Sequence, residues 1–216
     1  MKQVKFTLNL SEEQIMETIK RYHFSEEDLP ALCSFFQALK PLIQGKAYYE
    51  VIKEPKEKPD NLQFVEEESF LVAIVTLGKG ADKLHELYLE AEDILAAYMI
   101  DCLSFDLLSQ AYDKLAGQIE KEEKLYIEKY EFLGGKYPLE RMDEIFQYFS
   151  QDEVTYNDAY MLLPQKSVVY LGKLTEIKEE SCRHICACCD NTTCPNRQPL
   201  PYGYQRIFGK EKVEPA

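Results

Sequence analysis

The spacing of the apolar residues changes along the chain, and this change constrains the fold more than any other feature. Phe70–Leu77 is an unbroken run of apolar and β-branched residues, which is typical of a central strand. Beyond Gly78, apolar residues recur at the spacing of two long amphipathic helices: Leu84, Leu87, Tyr88, Ala91, Leu95 and Tyr98, then Leu107, Leu108, Ala111, Leu115 and Ile119. Because strands and helices do not alternate one for one, this order favours an α+β fold over a doubly wound parallel sheet.

The pattern predicts long helices over residues 81–129, packed on a curved and mostly antiparallel sheet. The predicted strands are Phe70–Leu77, Val154–Leu163 and Ser167–Leu171, with the last two paired across a turn at residues 164–166. A short helix that carries Ile145 and Phe146 is expected between the long helices and the later strands.

The first part of the chain predicts one strand followed by two helices. Alternating apolar residues from Val4 to Leu10 are typical of a half-buried strand. Ser11 and Gln14 have the spacing of a capping box, and Ser25 predicts the start of the second helix. Residues 53–60 contain two prolines and six charges, which predicts an exposed connector.

Charge is distributed unevenly along the chain. The chain has 25 Lys and Arg against 38 Asp and Glu, a formal net charge of −13. Residues 181–216 carry five basic and three acidic side chains, so residues 1–180 carry −15. A surface this acidic repels phosphate, so neither nucleic acid nor an anionic membrane is an expected partner. We therefore predict an acidic domain over residues 1–180 and a separate Cys-rich tail over residues 181–216.

The apolar runs are too short for targeting or membrane insertion. Met1–Leu10 lacks the apolar core of a signal peptide. No uninterrupted apolar run, Phe70–Val75 included, approaches the roughly 20 residues that span a bilayer. These observations predict a cytoplasmic protein.

Five of the seven cysteines lie within thirteen residues, at Cys182, Cys186, Cys188, Cys189 and Cys194. Cys186 and Cys189 form a C-x2-C pair, in which two thiolates can bind one ion. With Cys182 and Cys194 they supply four thiolates without Cys188, whose side chain is expected to point away from Cys189. Soft thiolate ligands select zinc or an iron–sulfur cluster. The proline after Cys194 also follows the last cysteine of bacterial ferredoxin motifs, which favours the cluster.

No catalytic residue is predicted. The sequence shows no nucleophile–base pair, Walker loop or dinucleotide fingerprint. Asp101, Asp106 and residues 120–123 are interpreted as a solvated helix face rather than as catalytic carboxylates.

The segment Thr155–Gly172 resembles part of the activation domain, which binds AdoMet, of cobalamin-dependent methionine synthase. The matching residues are Met161, Pro164, Ser167, Val168 and Gly172. Upstream, residues 133–138 lie where that family has its AdoMet loop. Free-standing bacterial members are similar in a further feature, a C-x2-C-x4-C-P-x-R tail, here residues 186–197. The resemblance covers residues 84–197.

The resemblance implies a domain that lies over a corrinoid held by a partner, either a corrinoid-binding protein or a methyltransferase. The domain presents AdoMet for reductive methylation when the cobalt has oxidised to inactive Co(II), a reaction that needs one electron. It is then part of a methyltransferase system rather than a complete enzyme. The implied cofactor-binding residues are Lys129, Gly134, Gly135, Tyr137 and Tyr160.

Four of these positions depart from the family or have an alternative interpretation. Lys129 stands where the family has an arginine, and lysine lacks the two-pronged guanidinium that binds a carboxylate, so weaker AdoMet binding is expected. Gly134 and Gly135 are otherwise a loop between helices. Tyr160, like Tyr156 and Tyr170, flanks the corrinoid or the adenine in one interpretation and packs in the core in the other.

Two functions from different classes remain. The first is an accessory redox protein that reactivates a corrinoid partner, with an electron from the metal centre at Cys182, Cys186, Cys189 and Cys194, itself reduced by a separate donor. The second is a non-catalytic interaction module whose tail holds a structural zinc. Visible absorbance supports the first, whereas a colourless protein with stoichiometric zinc supports the second.

Overall fold

The computed structural model describes residues 1–52, 69–135, 137–178, 182 and 185–188. The helices in these residues are α1 (Glu12–Tyr22), α2 (Leu29–Leu39), α3 (Lys79–Glu90), α4 (Ile94–Glu123), α5 (Met142–Phe146) and α6 (Ile185–Cys188). The strands are β1 (Lys2–Lys5), β2 (Lys46–Ile52), β3 (Ser69–Thr76), β4 (Tyr126–Phe132), β5 (Thr155–Tyr156), β6 (Leu162–Leu163) and β7 (Ser167–Thr175). The exposed connector predicted over residues 53–60 lies outside this description.

Within the described residues, five strands form one sheet in the order β1-β2-β3-β7-β4. Strands β4 and β7 pair antiparallel, with Tyr126 opposite Thr175 and Phe132 opposite Tyr170. The central strand β3 is buried from Phe70 to Thr76, as its unbroken apolar sequence predicts. The fold is α+β with a mostly antiparallel sheet, which confirms the predicted class.

The chain divides into two compact units. Unit 1 comprises Met1–Tyr48, Ile74–Leu115 and Phe149–Val168, and unit 2 comprises Tyr49–Ala73, Ala116–Tyr148 and Val169–Ala216. Fully buried side chains of unit 1 include Ile19, Leu32, Leu39, Ile74, Ile100, Leu103 and Leu107. Buried side chains of unit 2 include Leu71, Ile127, Tyr130, Met142, Tyr170 and Leu171. The predicted boundary at residue 180 stays a prediction.

Local capping signals in the first part of the chain are confirmed. The Ser11 hydroxyl accepts from the Gln14 backbone N–H, and the Gln14 side chain accepts from the Ser11 backbone N–H. Ser25 caps a short 3-10 turn, Glu26–Asp28, which leads directly into α2. Both serines therefore begin helical structure where their spacing predicts it.

The prediction that helix continues to residue 129 is wrong. Helix α4 ends at Glu123, and Lys124 adopts a left-handed conformation with φ 58°. The chain then enters β4, where Ile127 and Tyr130 are buried and Lys129 occupies a strand position. The local cause is the change from helical spacing to aromatic and β-branched residues after Leu125.

The prediction of one strand over residues 154–163 is also wrong. Strands β5 and β6 pair with each other, Thr155 opposite Leu163. The Asn157 side-chain oxygen accepts from the backbone N–H groups of Ala159 and Met161, each at 3.0 Å, and this turn reverses the chain. Strand β7 therefore does not pair with this segment but lies between β3 and β4 in the main sheet.

Helix α4 is a core helix. Among the described residues it is the one helix long and apolar enough to cross a membrane. However, 56% of its apolar 18-residue stretch is buried within the protein. Buried side chains along it include Ile100, Leu103, Leu107, Ala111 and Leu115. Its length and hydropathy are accounted for by this packing.

Asp106 is not on a solvated helix face as predicted. Its side chain is 9% exposed and accepts from both the Thr18 hydroxyl and the Arg21 guanidinium. Burial raises the pKa of the Asp106 carboxyl, although Thr18 and Arg21 both act to lower it. A carboxylate of the acidic sequence is thus a buried structural group in α4. By contrast, the Asp101 side chain is 38% exposed and pairs with Lys166.

Two glycines provide a matched stability test. A Cβ at Gly80 would overlap the Leu42 carbonyl oxygen, whereas a Cβ at Gly117 in α4 would meet no heavy atom within 4 Å. Gly80→Ala is expected to lower the free energy of unfolding by about 1–3 kcal/mol because the backbone must shift. Gly117→Ala is expected to raise it by about 0.5–1 kcal/mol through helix propensity.

Urea unfolding of the two glycine variants measures both effects against the parent chain. Opposite signs are expected. Equal stability of the two variants would contradict the close approach of α3 to Leu42.

Candidate functional site

Gly134, Gly135 and Tyr137 lie in the connection between β4 and α5, in unit 2. Leu133 and Tyr137 form a β-bridge, and the Gly134 N–H donates to the Tyr137 carbonyl at 2.8 Å. Gly134 has φ 88°, a conformation that a side chain would strain. The two glycines therefore form a tight turn between a strand and a helix, not a loop between two helices.

Lys129 lies on the strand that leads into this turn, and it is not part of the turn itself. Its Nζ lies 3.5 Å from a carboxylate oxygen of Glu131, two residues along β4. Lys173 stands opposite Lys129 in β7, and its Nζ lies 3.2 Å from Glu128. Each lysine of this cross-strand pair therefore has an acidic neighbour that offsets their repulsion.

A small cleft lies between the turn and α5, and we call it the β4–α5 cleft. Its lining residues are Ile52, Val72, Leu133, Tyr137, Arg141, Glu144, Ile145, Tyr148 and Leu171. Its volume is about 20 Å³, which admits roughly one water molecule. AdoMet does not fit inside it, so these residues offer polar and aromatic groups at a surface rather than an enclosed pocket.

Arg141 is the cation of the β4–α5 cleft, and it was not among the predicted site residues. Its side chain is 12% exposed and donates to Glu144 at 2.9 Å. Arg141 and Ile145 line the same cleft and are four residues apart, as neighbours on one helix face are. This spacing after Pro138 is the sequence signal that could have placed Arg141 beside the cleft.

Aromatic rings pack behind the turn. Tyr170 lies 5.3 Å from Tyr130 and 6.0 Å from Phe132, measured between ring centroids. Tyr170 is fully buried. Of the two interpretations of this tyrosine, the structure supports core packing.

Tyr160 belongs to unit 1, whereas the other predicted cofactor-binding residues belong to unit 2. It lies in the turn between β5 and β6 with φ 58°, and its ring stacks on Tyr156 with centroids 5.8 Å apart. The neighbouring Met161 is 50% exposed. The turn thus presents an exposed apolar side chain beside a stacked tyrosine pair.

A larger cleft lies in unit 1 at the start of α3, and we call it the α3 cleft. Its volume is about 590 Å³, within the range of ligand sites. Its lining residues are Pro41, Leu42, Gln44, Thr76, Gly78, Lys79, Gly80, Lys83, Asp152, Glu153 and Pro164. The sequence signal for it is Gly78-Lys79-Gly80 between a strand and a helix, which was not among the predicted sites.

Both signs of charge line the α3 cleft. Lys46 donates to Glu153 at 2.6 Å, and this hydrogen bond holds the pKa of the Glu153 carboxyl below its usual range. Burial, with Glu153 nearby, raises the pKa of Tyr48 to about 12. The mixture of Lys79 and Lys83 with Asp152 and Glu153 does not select an anion or a cation.

The described part of the Cys-rich tail packs against β4. The Cys182 N–H donates to the Ile127 carbonyl at 2.6 Å, and α6 contacts β4. Cys182 and Cys188 form a disulfide with their Cα atoms 6.0 Å apart. Cys188 is buried at 3% exposure, and Cys186 is half-buried on the same short helix. Cys188 therefore has a partner, Cys182, that the cysteine spacing did not predict.

The predicted metal centre is described only in part. Cys182 and Cys186 are described, whereas Cys189 and Cys194 lie outside the described residues. Within the described ranges no three His, Cys, Asp or Glu side chains form a group that could hold a metal ion. Four thiolates are a donor set that fits zinc or an iron–sulfur cluster, so the assignment to Cys182, Cys186, Cys189 and Cys194 stays a prediction.

Comparison with known proteins supports the fold and leaves the family open. No protein-family model matches the chain, and no curated protein matches it in sequence. Among solved structures, the chain is similar to the MetH reactivation domain bound to AdoHcy, with a TM-score of 0.53 and 11% sequence identity. The similarity covers 80% of this chain and 77% of that domain. The chain therefore shares the fold of the MetH reactivation domain.

Proposed function

We propose that this protein is an accessory protein of corrinoid-dependent methyl transfer, which covers and reductively reactivates the Co(II) corrinoid of a partner. The observation that carries the proposal is the similarity to the MetH reactivation domain over four fifths of the chain. The resemblance of residues 155–172 to the methionine synthase family supports it from the sequence.

The proposed reaction balances with one electron and one molecule of AdoMet. The electron reduces Co(II) to Co(I), which takes the methyl group from the AdoMet sulfur and leaves AdoHcy. The protein's task is to hold the methyl group in line with the partner's cobalt, since orientation of the two reactants supplies much of the rate. A domain that covers the corrinoid also keeps water from the reduced cobalt.

For AdoMet, the proposal uses the β4–α5 cleft and the adjoining turn. We assign Arg141 to the AdoMet carboxylate because its guanidinium can bind a carboxylate through two parallel hydrogen bonds. Glu144 accepts from this guanidinium at 2.9 Å, which holds the Arg141 side chain at the cleft. Arg141 thus supplies the arginine chemistry that Lys129 lacks.

Titration calorimetry with AdoMet tests this assignment. Arg141→Lys is expected to weaken AdoMet binding about tenfold, because one charge-assisted hydrogen bond is lost. Lys129→Arg is expected to tighten binding by a smaller factor, since Lys129 stands where the family has its arginine. Lys83→Ala in the α3 cleft is the matched control and should leave AdoMet affinity unchanged.

The outcome that contradicts the assignment is equally specific. If Lys83→Ala weakens AdoMet binding while Arg141→Lys does not, the α3 cleft is the AdoMet site.

We propose that the electron comes from a metal centre at Cys182, Cys186, Cys189 and Cys194. An iron–sulfur cluster held there would supply one-electron chemistry. The backbone bond from Cys182 to Ile127 holds one ligand residue against β4, the strand that leads into the AdoMet turn. With zinc instead of a cluster, the tail would serve as a structural element of an interaction module.

A further inference from the structure

Contacts with β4 hold Cys182 and Cys188 close together. The Cys182 N–H is fixed to Ile127 at 2.6 Å, and Cys188 ends the short helix α6, which contacts β4. Their Cα separation of 6.0 Å lies within the range that disulfides require. The pairing therefore follows from how the backbone is held, and it is compatible with the surrounding fold.

This disulfide and the proposed metal centre compete for one sulfur atom. Cys182 is one of the four proposed ligands, and a metal-bound thiolate cannot at the same time be part of a disulfide. Cys188 is the cysteine of the cluster that metal binding does not need. The structure pairs Cys188 with Cys182, and this bond removes Cys182 from the proposed ligand set.

We propose that Cys182 and Cys188 form a reversible thiol–disulfide switch that releases the metal of the Cys-rich tail under oxidising conditions. The proposal rests on the metal centre of the proposed function. Its consequence is that the Cys-rich tail stops delivering electrons to the partner's corrinoid when the cell becomes oxidising.

A low-molecular-weight disulfide such as oxidised glutathione is a sufficient oxidant. One thiolate of the pair attacks it, forms a mixed disulfide with the protein and releases one glutathione thiolate. The second protein thiolate then attacks the mixed disulfide, forms the Cys182–Cys188 bond and releases a second glutathione. The protein pair loses two electrons, glutathione disulfide gains two, and the metal ion leaves because Cys182 no longer binds it.

The test uses the full chain, purified anaerobically and analysed for bound metal. The chain is incubated with oxidised glutathione while a coloured chelator reports released metal, and peptide mass spectrometry maps the disulfides. The parent chain is expected to release its metal and to show the Cys182–Cys188 bond, and dithiothreitol should restore metal binding. Cys188→Ser should hold its metal and release it at least about tenfold more slowly. Cys33→Ser, which removes a half-buried cysteine of α2, is the matched control and should behave as the parent.

Two results would overturn the switch. One is equal metal release from the parent and from Cys188→Ser, and the other is a mapped disulfide that joins other cysteines. Either would leave the metal centre of the proposed function intact, because metal content is measured before oxidation. A reduced chain that contains no metal would instead contradict the metal centre, and the switch with it.

Discussion

Replacing Asp106 by alanine is expected to lower the free energy of unfolding by about 3–5 kcal/mol, because Arg21 would lose the partner of a mostly buried ion pair. The side chains of Arg21 and Asp106 are 19% and 9% exposed. Thr18 would lose one of the two acceptors of its hydroxyl and keep the Gln14 carbonyl at 3.1 Å. Lys114→Ala, at an exposed position of the same helix, is the control and should change stability by less than about 0.5 kcal/mol.

Urea unfolding across a range of pH tests how the stability contributed by Asp106 depends on pH. Because burial raises the pKa of Asp106 in the folded chain, the folded state binds the proton more strongly than the unfolded state. The stability contributed by this group is therefore complete below the ordinary carboxyl pKa and declines as the pH rises through the folded value. The difference in the free energy of unfolding between the parent and Asp106→Asn should therefore shrink as the pH rises. A difference that grows with pH would show that the ion pair outweighs burial.

The second large effect is expected at the metal centre. Cys186→Ser and Cys189→Ser should each abolish metal binding and any visible chromophore, because each removes a thiolate from a four-ligand set. Cys188→Ser is the matched control, since Cys188 lies outside that set, and it should keep the full metal content. Elemental analysis after anaerobic purification measures all three variants.

The body of the protein should stay folded in these variants, because its buried cores lie in residues before the tail. Far-ultraviolet circular dichroism checks this. Full metal content in both Cys186→Ser and Cys189→Ser would contradict the ligand assignment.

The sequence predicted those parts of the fold that local signals control. The Ser11–Gln14 capping box requires residues three apart, and both of its hydrogen bonds are present. The strand at Phe70–Leu77 is signalled by an unbroken apolar run that must be buried on both faces. The order of the strands and helices predicted the α+β class, which the structural comparison supports.

Features that depend on distant residues were not predicted. Asp106 sits on a helix whose sequence indicates a solvated face, and its partner Arg21 is 85 residues away. The spacing that placed Leu87 and Leu95 in the core was misleading, because both side chains are more than half exposed. Partners that are remote in sequence decide which side of an amphipathic helix is covered.

In the candidate site, too, local signals were predicted from the sequence and contacts between distant residues were not. The turn at Gly134 and Gly135 was located by sequence, since glycine marks positions that need unusual backbone angles. Arg141 was missed because its place beside Tyr137 depends on how α5 follows the turn. The link between Cys182 and Cys188 was missed because cysteine spacing alone does not determine pairing.

Methylation of a Co(II) corrinoid tests the central claim most directly. The probe is the cobalamin-binding module of a methionine synthase, prepared in the Co(II) form and mixed anaerobically with AdoMet, a chemical reductant and the protein. We predict that the Co(II) absorbance is replaced by that of methyl-Co(III), that one AdoHcy forms per cobalt, and that Cys189→Ser is inactive. A MetH reactivation domain is the positive control. If that control methylates the cobalt while the Co(II) spectrum stays unchanged with the protein, the proposed function is wrong.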